Sequence, residues 1–111
     1  MTQVELLEEF KRDFKRLAKK FRALPEELEA LINVLEINPE QGTDLGSGLR
    51  KIRLSSKSKG RGKSGGFRVI TYYVEQIRND KIVYLVTIYD KSEFSTVQKS
   101  DLMKLIKDAL E

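Results

Sequence analysis

The sequence predicts a single α+β domain of order β-α-α-β-β-β-α, an antiparallel sheet with a helical hairpin packed on one face and a C-terminal helix. Three observations predict it. Apolar residues recur at helical spacing over residues 8–38 and again over 97–110. An alternating run, 49–54, and two runs rich in β-branched and aromatic residues, 67–77 and 82–89, lie between them. The chain has 111 residues, the size of one domain, and shows no repeat or second unit. At this length a chain buries about two-thirds of its unfolded surface, enough for one core without staples.

The elements follow in order. Residues 3–7 alternate, with Val4 and Leu6 against Gln3 and Glu5, and read as a short strand. From Glu8 the period changes: Phe10, Phe14, Leu17 and Phe21 form one helical stripe, with Lys11, Arg12, Lys15, Arg16, Lys19 and Lys20 around it. Pro25 suits the first turn of a second helix, and Glu26 and Glu27 sit near the positive end of its dipole. Leu28, Leu31, Ile32 and Leu35 are its stripe, and Asn38-Pro39 stops it. The aromatic and leucine stripes are core. Residues 42–48 are glycine-containing and read as a loop. In the strand Leu49–Leu54, Ile52 and Leu54 point one way while Lys51 and Arg53 point the other. Residues 55–66 form a basic Ser/Gly-rich connection, Asn79-Asp80 marks a turn, and the run 82–89 is apolar nearly throughout, as a central strand is. Ser95 and Gln98 fit a capping box before a final helix whose stripe is Val97, Leu102, Leu105, Ile106 and Leu110. The helices are expected to gather on one face of the sheet.

Composition removes whole classes of function. Hydrophobic residues are 40% and charged residues 34%, so the chain is globular but more charged than the usual ~25%. No window of about 20 apolar residues spans a membrane. The start, Met1-Thr2-Gln3-Val4-Glu5, lacks the pattern of a signal peptide, and a cytoplasmic protein is expected. There is no Cys and no His, which excludes disulfides, thiolate and imidazole metal sites, and Ser-His-Asp or Cys-based nucleophilic catalysis. Asp90 and Glu93 are the only acids just past the last strand, too few for a magnesium site, and no metal or other cofactor is expected. Any chemistry falls to Lys, Arg, Tyr, Ser, Thr, Asp and Glu.

The net charge of +4 conceals an asymmetry. Residues 45–74 hold eight basic side chains and no acidic one: Arg50, Lys51, Arg53, Lys57, Lys59, Arg61, Lys63 and Arg68. Such a block attracts polyanions. A solvated basic face is the competing reading, but surface lysines are normally interspersed with glutamates that keep the field small. Gly62-Lys63-Ser64 imitates a phosphate-binding loop, yet the pattern requires glycine at position 57, which is Lys, and a following helix where a strand is predicted. The better constellation is cationic and aromatic. Lys51 and Arg53 share a strand face, Arg68 begins the next strand, and Tyr89 and Lys91 end the one after. In a meander these meet on one surface and offer point charges, guanidinium forks and a stacking ring, the means of RNA recognition.

At these residues the chain resembles a known family. The segments Gly48-Leu49-Arg50-Lys51-Ile52-Arg53, Lys63-Ser64-Gly65-Gly66-Phe67-Arg68-Val69-Ile70-Thr71-Tyr72-Tyr73 and Leu85-Val86-Thr87-Ile88-Tyr89-Asp90-Lys91-Ser92-Glu93 are similar to the RelE/HigB branch of bacterial type II toxins. The resemblance implies the RelE-like fold over the whole chain. It implies a ribosome-dependent mRNA endoribonuclease (an mRNA interferase) that enters the A site beside 16S ribosomal RNA, cuts the message and so inhibits translation. Its partners would be mRNA, the ribosome and a cognate antitoxin, with no membrane involved. The family's basic pair falls on Lys51 and Arg53, its strand-start arginine on Arg68, and its basic residue after the last strand on Lys91. The tyrosine that RelE proper carries near its C-terminal helix is missing around Thr96-Val97-Gln98, which points to a HigB-like subfamily.

The catalytic set expected is Lys51, Arg53, Arg68, Tyr89, Lys91 and Glu93, with Arg50, Lys57, Lys59, Arg61 and Lys63 binding RNA. A metal-free cut can use the substrate's own 2′-hydroxyl as nucleophile. Arg68 and Lys91, with Arg53, are the candidates to stabilise the phosphorane charge. Lys51, crowded by like charges that disfavour another cation, and Glu93 are rival bases. Tyr89 stacks on a nucleobase or relays a proton. Two other readings stand beside this one: a non-catalytic toxin on the same fold, of the ParE kind that acts on DNA gyrase, and a plain RNA- or ribosome-binding module. The basic face of the first helix is either a second contact with ribosomal RNA or a solvated exterior partly neutralised by Glu8, Glu9 and Asp13.

Overall fold

The structure, a computed structural model, describes residues 2–59, 66–75, 80–93 and 97–111, with Lys59 as backbone only. The Gly62-Lys63-Ser64 triplet, Arg61, Ser95 of the capping box and Asn79 lie outside the described residues. Eight elements are described: β1 (Thr2–Leu6), α1 (Glu8–Lys20), α2 (Leu24–Ile37), β2 (Thr43–Gly46), β3 (Leu49–Leu54), β4 (Phe67–Glu75), β5 (Lys81–Asp90) and α3 (Lys99–Leu110). A single 3₁₀ turn covers Lys57–Lys59. The class is α+β and the order follows the sequence reading, with one strand added.

That strand is β2. It pairs antiparallel with β3 through a hairpin in which Ser47 (φ 57°) and Gly48 (φ 85°) both adopt left-handed backbone. Positive φ at both central residues is the turn that matches strand twist. The Asp44 carboxylate accepts the Gly46 N–H at 2.7 Å and tightens it. With only Leu45 apolar, β2 carries no alternation that sequence can register.

The sheet order is β1-β5-β4-β3-β2. β3, β4 and β5 form the antiparallel meander expected, but β1 runs parallel to β5, Thr2 opposite Lys81 through Leu6 opposite Leu85. The sheet is therefore mixed. β5 lies between β1 and β4, in keeping with its apolar run.

The helices do not gather on one face. α1 and α2 cover one side, where Phe10, Leu17, Leu24, Leu28, Leu31 and Leu35 pack with Ile52, Phe67, Val69, Val83, Leu85 and Ile88. α3 covers the other, where Leu102 and Ile106 pack with Leu49, Ile70, Val86 and Tyr89. Neighbours in sequence divide between the two cores, Val69 from Ile70 and Ile88 from Tyr89, as strand alternation requires. The correction follows from that alternation: β4 and β5 present apolar side chains on both faces, so one helical layer cannot bury them all.

A bulge sets the phase. Ile70 pairs with Thr87 but Thr71 with Leu85, so Val86 has no opposite residue on β4. Leu85 and Ile88 thereby join the hairpin core, while Val86 and Tyr89 join the α3 core. An extra residue of this kind re-aims the side chains beyond it. Thr87, between the two phases, donates its hydroxyl to the Asp13 carboxylate of α1 at 2.7 Å. At the corner between α1 and α2, Phe21 meets the buried Phe67 ring edge-on at 5.1 Å.

Candidate nucleic-acid interface

The register brings the cationic candidates together at one end of the sheet. Arg53 lies opposite Arg68 and Arg68 opposite Tyr89, so the three form one cross-strand row. Lys51 lies two residues before Arg53 on the same strand face. Lys91 follows directly on β5, and its backbone N–H donates to the Gly66 carbonyl at 3.1 Å. This fixes Lys91 beside the start of β4. Gly66 is required there, because a Cβ would run into the Leu54 carbonyl oxygen.

The row is layered by depth. Arg53 is exposed, and Lys51 and Lys91 are half-buried. Arg68 and Tyr89 lie beneath, each 4% exposed. Arg68 Nη1 donates to the Phe67 carbonyl at 3.2 Å. Tyr89 is part of the α3 core, so its ring presents no open face for stacking on a nucleobase. Burial pushes its phenol pKa above the usual value, against the opposing pull of the Arg68 charge. Tyr89 is thus a neutral group under a cationic rim.

Two expected residues stand apart. Arg50 occupies the opposite strand face, its guanidinium 5.6 Å from the Tyr73 ring centroid and 3.9 Å from Glu40. It belongs to the hairpin side and does not join Lys51 and Arg53; adjacent strand residues cannot share a face. Glu93 pairs with Arg16 of α1 at 3.5 Å, so one rival base already has a cationic partner. The turn that carries it is built on Asp90, whose Oδ1 accepts both the backbone N–H (3.0 Å) and the hydroxyl (2.9 Å) of Ser92.

The basic connection begins on a fixed anchor that sequence reasoning missed. The Ser58 hydroxyl accepts the Ala23 N–H at 2.8 Å, and the Glu27 carboxylate accepts the Lys57 N–H at 2.8 Å. Both bonds tie the 3₁₀ turn to the N-terminus of α2. No local signal announces them, since the partners are 35 and 30 residues apart. Lys57 is exposed at this anchor. The side chain of Lys59, and Arg61 and Lys63 altogether, lie outside the described residues. On α1, Lys11 pairs with Glu8 at 3.3 Å, so its basic face is partly neutralised. Among the described residues no group of three acids converges as a metal site requires.

The chain is a small mixed sheet with a helical hairpin behind it and a cationic rim at one end of its central strands, a charge distribution that attracts polyanions. Comparison with known families carries this further. The family described as RelE toxin of RelE / RelB toxin-antitoxin system matches residues 9–110, and the chain belongs to that family. It is the toxin component of a toxin–antitoxin pair, and an antitoxin partner is implied. Among the described residues no helix is long and apolar enough to cross a membrane.

Proposed function

We propose that the chain is a ribosome-dependent mRNA endoribonuclease, acting in the cytoplasm by cutting message in the ribosomal A site. The observation that supports it is the row Arg53–Arg68–Tyr89 with Lys91 at the same sheet end. In the reaction the 2′-hydroxyl oxygen attacks the adjacent phosphorus. Its proton passes to a base, and the P–O5′ bond breaks as the 5′-oxygen takes a proton from water, giving a 2′,3′-cyclic phosphate and a 5′-hydroxyl. Arg53 and Lys91 grip the phosphate from the rim. Arg68 stabilises the developing charge from below, where water screens its field least. Lys51 is the base on the reachable face, since Glu93 must first give up Arg16. Lys57 and the following basic residues hold the backbone. Positioning of this kind contributes about 7–11 kcal/mol to such reactions, which suits a chain without histidine that relies on the ribosome to orient its substrate.

A second reading has an observation in its favour. Arg68 and Tyr89 are buried, and Glu93 is paired, as in a toxin that binds without cutting. Cell-free translation decides between them. Purified protein is added with and without programmed ribosomes, and message ends are mapped by primer extension. Cuts in register with the reading frame, dependent on ribosomes and lost in Lys91→Ala, are expected. Arrested translation with intact message would establish the non-catalytic binder. Normal translation together with DNA damage in cells would move the target to gyrase.

A further inference from the structure

Between α1 and α3 runs a groove opposite in character to the cationic rim, with Tyr89 of the cross-strand row in its lining. β1 pairs with β5 only as far as Leu85, so beyond it the outer edge of β5 has no strand partner among the described residues. α1 and α3 flank that edge and leave a cavity of about 420 Å³. A second cavity of about 550 Å³ runs on toward the end of α3, sharing Glu9 and Leu105 with the first. Together they form one trough.

Its walls are apolar and its rim is acidic. Leu6, Leu7, Ile88, Leu102, Leu105 and Leu110 supply hydrocarbon, and Leu110 is 42% exposed. Glu5, Glu8, Glu9, Asp13, Asp101 and Asp108 supply carboxylates. Only Arg12 and Arg16 among the lining residues answer these six carboxylates, both acting on Asp13, and Arg16 also pairs with Glu93 at 3.5 Å. In a chain of net charge +4 this is a local negative field. An apolar floor under a single-signed rim selects a partner with aliphatic residues and charges of the other sign.

We propose that the trough is a docking site for a basic amphipathic segment of a partner protein, its aliphatic side chains seated between α1 and α3 and its lysines or arginines against the carboxylates. The carboxylates of the trough share no residue with the cationic rim, but its lining reaches Tyr89, the buried end of the cross-strand row. A helix laid in a groove presents such a stripe at every third and fourth residue.

The probe is a labelled peptide of about 18 residues, a helix of roughly 27 Å, with leucines at helical spacing and lysines elsewhere. A twin carries glutamate in place of each lysine. Binding is followed by fluorescence anisotropy on the full chain. The lysine peptide is expected to bind, and Asp101→Lys with Asp108→Lys is expected to weaken it at least tenfold without altering message cleavage. Asp108→Lys alone is the safeguard on folding, because a cation near a helix C-terminus is favourable there; it is expected to weaken binding severalfold with an unchanged circular dichroism spectrum. Failure of the lysine peptide to bind, binding indifferent to both variants, or displacement of it by the glutamate twin would each overturn the proposal. Absence of message cleavage by the unsubstituted chain, with peptide binding intact, would count against the proposed activity alone.

Discussion

Thr87 and Asp13 are joined by a 2.7 Å hydrogen bond from the Thr87 hydroxyl to the Asp13 carboxylate. It links the bulge of β5 to the middle of α1. Burial raises the Asp13 pKa above the usual carboxylate value, and the Thr87 bond works against that rise. A carboxyl whose folded pKa is raised binds more protons folded than unfolded. Stability therefore falls as pH climbs from the unfolded pKa through the folded one. At neutral pH the half-buried charge is a cost. Asp13→Asn keeps an acceptor for Thr87 and removes the charge, so its melting temperature at neutral pH should equal or exceed that of the parent. Its stability should also vary less as pH rises above the usual carboxylate pKa. Thr87→Val strands the carboxylate and should cost about 1 kcal/mol in urea denaturation.

Tyr89 gives an alkaline counterpart. Its phenol, like that of Tyr84, is shifted upward chiefly by burial. The native state holds these protons longer than the unfolded chain, so stability should decline above about pH 10, where unfolded tyrosines ionise. Absorbance titration of the phenolates should resolve late-titrating groups among the four tyrosines, and Tyr89→Phe should remove one of them. A Tyr89 that titrated as a free phenol in water would contradict its buried position.

The cationic rim predicts a separation between two arginines of one strand. Arg53→Ala should weaken binding to a ribosomal RNA fragment and lower the salt slope by about one unit per lost phosphate contact. Arg50→Ala, three residues away in sequence but on the other face, should leave that slope unchanged. Its effect should fall on stability, through Tyr73 and Glu40, by less than about 1 kcal/mol. Equal effects on RNA binding would mean that the two strand faces are not the functional division.

Gly66 connects the fold to the rim. Gly66→Ala drives a methyl group into the Leu54 carbonyl and disturbs the bond that seats Lys91. A loss of about 1–3 kcal/mol is expected by thermal denaturation, with message cleavage falling more than stability alone accounts for.

The anchor at α2 predicts a milder effect. Ser58→Ala removes the acceptor for the Ala23 N–H, a change comparable to losing a helix cap, about 1 kcal/mol. RNA affinity should drop with it, because the basic connection would start from an unfixed point. Ser58→Thr, which retains the hydroxyl, should restore both.

Much of this molecule is legible in its amino-acid order. The stripes Phe10–Phe14–Leu17–Phe21 and Leu28–Leu31–Leu35 determine two helices and their buried faces, the alternation of residues 49–54 determines β3, and the β-branched and aromatic runs determine β4 and β5. The acid-free block of residues 45–74 determines the sign of the surface. These are local properties: periodicity, propensity and charge act within a few residues of one another. The tertiary structure alone decided that β1 runs parallel to β5, that α3 closes the second face with a bulge at Val86, and that Tyr89 lies beside Arg68 on the neighbouring strand. It also decided that Arg50 leaves the cationic group, that Glu93 is taken by Arg16, and that Ser58 and Glu27 pin the basic connection. Each depends on contacts between residues far apart in the chain, where strand direction, register and burial on both faces are set by packing and no short pattern records them.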